Sequence, residues 1–245
     1  MRINDFHMCK LGNKENEYED SISYDMDTLR FAIADGASGS AFAELWASSL
    51  TKSYIESDLS LFDDPVGVVS AIQKEARNRW YNGIAWNKLP WFLKNKATMG
   101  SYSTLLLMEM RNTDDSIEFV ASAVGDSCLF VIDQRLRVSF PISDHREFGV
   151  SPKLVWSGQG QPVKLDVKLS IPSVHTVRGS VYKDDRIILA TDSVSKWLLE
   201  NESDDPWEIL LENPQELKKA IADLINKKVM RNDDITAAVI TFTEN

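Results

Sequence analysis

Histidine and cysteine are scarce in this chain, three and two residues among 245. Two thiols, Cys9 and Cys128, cannot build a disulfide framework, which points to a reducing compartment, read here as the cytoplasm. His7, His145 and His175 lie far apart and form no His-Glu-x-x-His or Cys/His cluster, so a zinc or copper site is not expected. No uncharged apolar run approaches the ~18 residues of a membrane span. Met1-Arg2-Ile3-Asn4-Asp5 has no apolar stretch of the signal-peptide kind. Positive charge is also short: 27 Lys+Arg face 37 Asp+Glu, a formal net charge of −10. Such a chain has to overcome repulsion from phosphate backbones, which disfavours nonspecific nucleic-acid binding. Internal repeats, low-complexity tracts and Pro/Gly-rich linkers are missing, so residues 1–245 read as one domain with a substantial core.

Several catalytic signatures are missing too. There is no Gly-x-x-x-x-Gly-Lys-Ser/Thr phosphate loop and no Gly-x-Ser-x-Gly nucleophile elbow. A cysteine phosphatase needs an Arg six places after its thiolate; Cys128 has Gln134 there and Cys9 has Glu15. Cys128 reads as a small buried apolar residue. Asp25-Met26-Asp27-Thr28 resembles the haloacid-dehalogenase nucleophile motif, but Thr28 follows Asp27 directly instead of two places on. A polar hairpin turn is the better reading.

What is present is a set of β-rich apolar segments: Arg30–Ala34, Ser103–Met110, Ile117–Val124, Cys128–Asp133, Arg137–Phe140, Arg186–Thr191 and Ile235–Thr243. Gly125-Asp126-Ser127 is short enough for a hairpin, which gives an antiparallel meander. Helical periodicity marks residues 41–55 (Phe42, Leu45, Trp46, Ser49 and Leu50 on one face, with Ser38 or Ser40 as a cap). It also marks residues 66–81 behind Asp64-Pro65, and a segment opened by Pro214. Residues 141–182 are the least regular and read as an irregular insert, either a functional flap or a plain surface loop. Strands and helices in blocks indicate an α+β fold around antiparallel sheet.

The remaining acids sit in a pattern. Apolar strands run into or out of Asp35, Asp126, Asp192 and Asp233, and Glu19-Asp20 precedes Ser21-Ile22-Ser23. Singly, each suits a turn or a helix cap. As a set, carboxylates at the ends of several core strands converge on one edge, where repulsion is costly without cations. With so little His and Cys the donors are hard oxygens, which suit Mg²⁺ or Mn²⁺.

These residues resemble the metal-dependent protein phosphatases of type 2C, with motifs in the family's order from Glu19 to about Phe242. The chain reads Glu19-Asp20, Asp35-Gly36-Ala37-Ser38-Gly39, Gly100-Ser101-Tyr102-Ser103-Thr104, Gly125-Asp126-Ser127, Thr191-Asp192-Ser193 and Asp233-Asp234-Ile235-Thr236. The resemblance implies a four-layer αββα sandwich of two mainly antiparallel sheets flanked by helices. It implies two Mn²⁺ or Mg²⁺ ions in the core site, Asp35 bridging them and the Gly36 carbonyl on one. Asp192 and Asp233 would hold the first ion, Glu19 the second partly through water, and Asp20 would support them. Asp126, with Asp192, matches a weaker third site. The implied reaction is hydrolysis of phosphoserine or phosphothreonine in proteins by metal-activated water, with Asp35, Asp192 and Asp233 as the essential acids. The implied partner is a phosphoprotein made by a Ser/Thr kinase, not nucleic acid or membrane, and the chain is expected to be a monomer.

This chain departs from the family at defined places. Glu15, beside Lys14, stands where the family often has a phosphate-gripping Arg; Ala37 or Ser38 replaces a proposed acid His. Ser193 replaces a Gly, and Lys196 stands where some members have another acid. The alternative reading is therefore a phosphatase-fold regulatory or binding module with little or no turnover.

Overall fold

The structure is a computed structural model and describes residues 1–149, 152–158 and 173–242. In chain order its elements are β1 (Arg2–Met8), β2 (Ser21–Asp25), β3 (Arg30–Ala34), α1 (Ala43–Ile55), α2 (Pro65–Gly83) and α3 (Trp91–Thr98). They continue with β4 (Tyr102–Ser103), β5 (Leu105–Asn112), β6 (Ile117–Val124), β7 (Cys128–Ile132), β8 (Leu136–Phe140), β9 (Val155–Trp156) and β10 (His175–Val181). Last come β11 (Arg186–Ala190), α4 (Asp192–Glu200), α5 (Pro214–Asn226) and β12 (Ile235–Thr241).

Two five-stranded antiparallel sheets result, one ordered β1-β12-β11-β7-β8 and the other β10-β6-β5-β3-β2. Side chains alternate across each strand, so every inner strand feeds two apolar layers. On β3, Phe31 and Ile33 face the other sheet, while Ala32 and Ala34 meet Trp46, Leu50, Val69 and Ile72 of α1 and α2. On β7, Leu129 and Val131 face between the sheets; Cys128, Phe130 and Ile132 meet Trp197 of α4 and Ile221 of α5. Three stacked apolar layers thus define an αββα sandwich, as the sequence leads one to expect. Burial on both faces is why these strands read as continuous apolar runs.

The start signals at α2 and α5 act as read. Asp64 accepts from the Gly67 N–H at 2.9 Å ahead of Pro65, and Asn213 accepts from Gln215 and Glu216 at 3.2 and 3.1 Å. Ser38 and Ser40 do not cap α1, which begins after Phe42 at φ 58° with no side-chain cap. Instead Ser40 Oγ donates to the Ala37 carbonyl at 2.8 Å and shares a hydrogen bond with Ser101 Oγ.

Two expectations need correction. The link Gly125-Asp126-Ser127 is not a hairpin, because β6 and β7 belong to different sheets. Three residues suffice for either connection, since packed sheets are only ~10 Å apart. Gly125, at φ 99°, makes the corner. Residues 141–182 are also more ordered than expected: β9 pairs with β4, and β10 pairs along β6. As an edge strand, His-Thr-Val-Arg-Gly-Ser-Val carries too few apolar residues to be read as a strand. The rest of that insert, 150–151 and 159–172, lies outside the described residues. Among those described, no helix is long and apolar enough to cross a membrane.

Trp46 ties the α1/α2 layer to the sheet. It is fully buried, donates from Nε1 to the Val155 carbonyl at 2.8 Å, and meets Trp80 edge-on at 6.5 Å. Trp46→Ala should lower the unfolding free energy by about 3–5 kcal/mol in urea titrations. A loss below about 1 kcal/mol would show that this layer is not built around it.

Candidate metal centre

The acid-bearing junctions all fall at one end of the two sheets. Ser21, just after Glu19-Asp20, pairs with Ala34, just before Asp35. Leu105 pairs with Val124, two residues before Asp126. In the other sheet, Ala190 pairs with Ala237 and with Cys128, so Asp192, Asp233 and the Asp126 corner share that end. Asp192 also opens α4, where the helix dipole favours a carboxylate. The topology therefore brings Glu19, Asp20, Asp35, Asp126, Asp192 and Asp233 together. It leaves Asp25 at the far end of β2, accepting from the Asp27 N–H at 2.9 Å and the Thr28 hydroxyl at 2.8 Å, as a turn residue does.

A polar scaffold fixes the junctions. The Asp35 N–H donates to Thr104 Oγ1 at 2.9 Å, and its carbonyl accepts from the Thr104 N–H at 2.9 Å and Ser103 Oγ at 2.8 Å. Thr104 Oγ1 in turn bonds Ser127 Oγ at 2.7 Å, which ties the β3 end to the Asp126 corner. Gly36 is held so tightly that a Cβ there would lie 2.6 Å from the Glu19 carbonyl oxygen and 2.8 Å from that of Ala43. Buried Asp20 accepts from Thr236 Oγ1 at 2.7 Å and Thr191 Oγ1 at 3.1 Å, and Tyr18 closes a short hydrogen bond to Thr236. Asp234 accepts from the Glu19 N–H at 2.7 Å and the Lys10 N–H at 2.8 Å, pinning both segments beside β12.

The electrostatics follow from this crowding. Burial, then the charges of Asp20, Asp192, Asp126 and Asp233, push the Asp35 carboxyl well above the ordinary range. Burial pushes Asp20 up to about 8, against its two threonine hydrogen bonds. Burial and the Asp192 charge raise Asp126 to about 6, with Arg231 opposing. Burial likewise raises Asp192 and Glu19; Arg231 opposes the first shift and a Ser38 hydrogen bond the second.

Two cations answer the acids. Arg231 spans Asp192 and Asp233 with contacts of 2.9 and 2.8 Å, and Lys10 Nζ reaches Asp233 at 3.3 Å. In this arrangement no three His, Cys, Asp or Glu side chains among the described residues close around one point as an ion cage. The donor chemistry nonetheless fits hard divalent cations: all-oxygen side chains, mutually repelling carboxyls, and a Gly36 backbone packed against the Glu19 carbonyl too closely for any side chain. For an ion to seat between Asp192 and Asp233, the Arg231 guanidinium has to leave.

Glu15 is exposed in the short turn Glu15–Glu17 and makes no contact with the acids of the centre; its partner is the Cys9 thiol at 3.8 Å. Lys196 pairs with Glu200 at 3.7 Å. The sequence reading missed Arg231, Lys10 and the roles of Thr104, Ser127, Thr236 and Asp234. Arg231 has a local signal, a cation two places before Asp233. Lys10 has none, because its partner is 223 residues away. Beside Asp192 a groove of about 830 Å³ opens, lined among others by Lys196, Trp197, Lys228, Met230 and Arg231.

No protein-family model matches the chain, and no curated protein matches it. Solved structures do. PppA, a key regulatory component of the T6SS in Pseudomonas aeruginosa, aligns with TM-score 0.64 at 17% identity, covering 99% of this chain and 97% of that one. The photosystem II phosphatase PBCP aligns at 0.63 and 16%, covering 99% and 98%. The catalytic domain of the serine/threonine phosphatase PstP, in complex with two manganese ions, aligns at 0.62 and 14%, covering 97% and 96%. The chain has the fold of the type 2C serine/threonine phosphatases.

Two outcomes are expected of the centre. Carboxyls whose folded pKa is raised contribute stability that is full below their unfolded value of ~4 and is lost as pH rises through the folded values. With the folded values near about 6 for Asp126 and about 8 for Asp20, the melting temperature in chelator should fall between weakly acidic and weakly alkaline pH. Added Mn²⁺ should cancel that fall; a chelated protein that becomes more stable across this range contradicts the picture. Secondly, Arg231→Ala should tighten Mn²⁺ binding several-fold in calorimetry. Weaker binding would mean that the guanidinium does not compete for these acids.

Proposed function

We propose that the chain is a divalent-metal-dependent phosphatase that removes phosphate from serine or threonine in proteins. The observation that carries this reading is the gathering of five strand-end acids, Glu19, Asp35, Asp126, Asp192 and Asp233, at one end of an αββα sandwich. Fold neighbours named as serine/threonine phosphatases, one holding two manganese ions, support it. We assign Asp35 to a position between two Mn²⁺ or Mg²⁺ ions, Asp192 and Asp233 to the first, and Glu19 with the Gly36 carbonyl to the second. Asp126 with Asp192 would hold a weaker third ion, and buried Asp20 braces Thr191 and Thr236. When bound, the ions supply Lewis acidity towards a water and towards the phosphoryl oxygens.

The rest is the work of the chain. Asp35 offers two carboxylate oxygens from a backbone locked by Ser103 and Thr104, so the ligand geometry is set before substrate arrives. Arg231, once off Asp192 and Asp233, and Lys10 are the cations placed to meet a phosphate dianion. They take the part that Glu15, exposed and negative, does not. The groove beside Asp192 has the size and mixed cationic and apolar lining that suit the residues flanking a phosphorylated side chain. We place the protein, as one catalytic unit over residues 1–245, in the cytoplasm, acting on the products of a Ser/Thr kinase.

A second reading keeps the fold without turnover, as a regulatory or binding module. The Arg231 bridge across two expected ligands favours it.

Hydrolysis of an aryl phosphate separates the two. Activity should require Mn²⁺ or Mg²⁺ and vanish in excess chelator. Loss of groups that merely brace ligands costs roughly 10–100-fold; Asp35→Ala, which removes a bridging ligand, should exceed that. Asp25→Ala should leave the rate near wild type. Full turnover in chelator, or dependence on Asp25 and not Asp35, contradicts the proposal; no turnover with any metal selects the regulatory module.

A further inference from the structure

The charge of this chain is unevenly distributed. Residues 76–108 carry Arg77, Arg79, Lys88, Lys94 and Lys96 and not one Asp or Glu, in a protein of net charge −10. The same segment holds the most exposed aromatic residues of the described structure: Trp91 is 76% exposed, Phe92 60% and Tyr81 58%, with Met99 at 53%. Exposed large rings at this density are not ordinary surface.

Their placement is organised. At about 100° per residue, Trp91, Phe92, Asn95 and Met99 share the outward face of α3, while Lys94 and Lys96 lie on its two flanks. Ala97, fully buried, anchors the opposite face. Trp91 and Phe92 meet edge-on at 6.2 Å, so the two rings stand as one apolar wedge. Lys88, Lys94 and Lys96 have no ion pair among the described residues. A protein–protein hot spot would seat the rings in a pocket and deplete lysine. A protruding Trp/Phe wedge with free lysines on both sides is instead the arrangement that enters the headgroup layer of an anionic bilayer.

We infer that α3 and the segment leading into it form a peripheral docking site for anionic phospholipid surfaces. Such contact lies on the membrane and differs from a span. It also has a bearing on the metal centre. Met99, at the C-terminal end of α3, accepts from Trp156 Nε1 at 2.9 Å, and the chain runs on directly through Ser101 to Ser103 and Thr104, which hold Asp35. A protein docked through α3 would present its centre close to membrane-associated phosphoproteins. The inference stands whether or not the centre turns over.

The test is sedimentation of the full chain with vesicles of two parts phosphatidylcholine to one part phosphatidylserine, and with phosphatidylcholine alone. Wild type should bind the mixed vesicles, release in high salt, and bind the neutral ones at least about tenfold more weakly. Trp91→Ser with Phe92→Ser, and separately Lys94→Glu with Lys96→Glu, should each weaken binding at least about tenfold. Trp91, Phe92 and Lys94 are exposed, and half-buried Lys96 has no ion pair among the described residues to lose, so circular dichroism and melting temperature should stay at wild-type values. Absence of binding at low salt would overturn the inference, as would binding indifferent to both variant pairs. So would self-association in ultracentrifugation that the Trp91/Phe92 variant abolishes, because the wedge would then be an interface between copies of this chain.

Discussion

Repulsion among carboxylates at one end of two sheets is the constraint on which the rest of this structure depends. Asp35 feels Asp20, Asp192, Asp126 and Asp233 at once, in a place where burial weakens solvent screening. Such a cluster persists only if its charges are neutralised. The chain shows two means of doing so: raised carboxyl pKa values, and cations drawn from outside the motifs, Arg231 and Lys10. A pair of hard divalent ions would be a third means, and the one that gives the cluster a chemical use.

The architecture holds the junctions in place against that repulsion. Each sheet contributes acids from its own strand ends, and the β6–β7 corner carries Asp126 from one sheet to the other. Around them, hydroxyls bind backbone and carboxyl groups: Ser103 and Thr104 fix Asp35, Thr191 and Thr236 fix Asp20, and Asp234 fixes the N–H groups of Glu19 and Lys10. Gly36 admits the Glu19 and Ala43 carbonyls at distances that any side chain would prevent. These contacts link segments distant in sequence, which is why the cluster is a property of the whole sandwich and not of any one loop.

Much of the fold was legible in the sequence. Inner strands buried on both faces announce themselves as apolar runs, and α2 and α5 carry Asp-Pro and Asn-Pro starts. Edge strands β1 and β10 were not legible, since half their residues face solvent and Asn4, Asp5, Arg178 and Gly179 break the pattern. The β6–β7 link was misread because a three-residue turn is locally the same whether it closes a hairpin or crosses to a second sheet. At the centre, acids on strand ends and the order of the motifs single out Asp35, Asp126, Asp192 and Asp233, which the strand registers gather at one end of the sheets. Lys10 stayed hidden, because an ion pair across 223 residues leaves no local trace; Arg231 sits two places before Asp233, but its reach to Asp192, 39 residues away, does not show in the sequence. Glu15, singled out by position in a motif, lies exposed with Cys9 as its partner.

The central claim is that these acids exist to hold divalent cations. A crystal structure of the wild-type chain grown with Mn²⁺, with anomalous scattering to locate the metal, tests it most directly. The account predicts two manganese peaks bridged by Asp35, with Asp192 and Asp233 on one ion and the Gly36 carbonyl on the other, and Arg231 swung away from both acids. Anomalous maps without metal at Asp35, and with Arg231 still spanning Asp192 and Asp233, would contradict it.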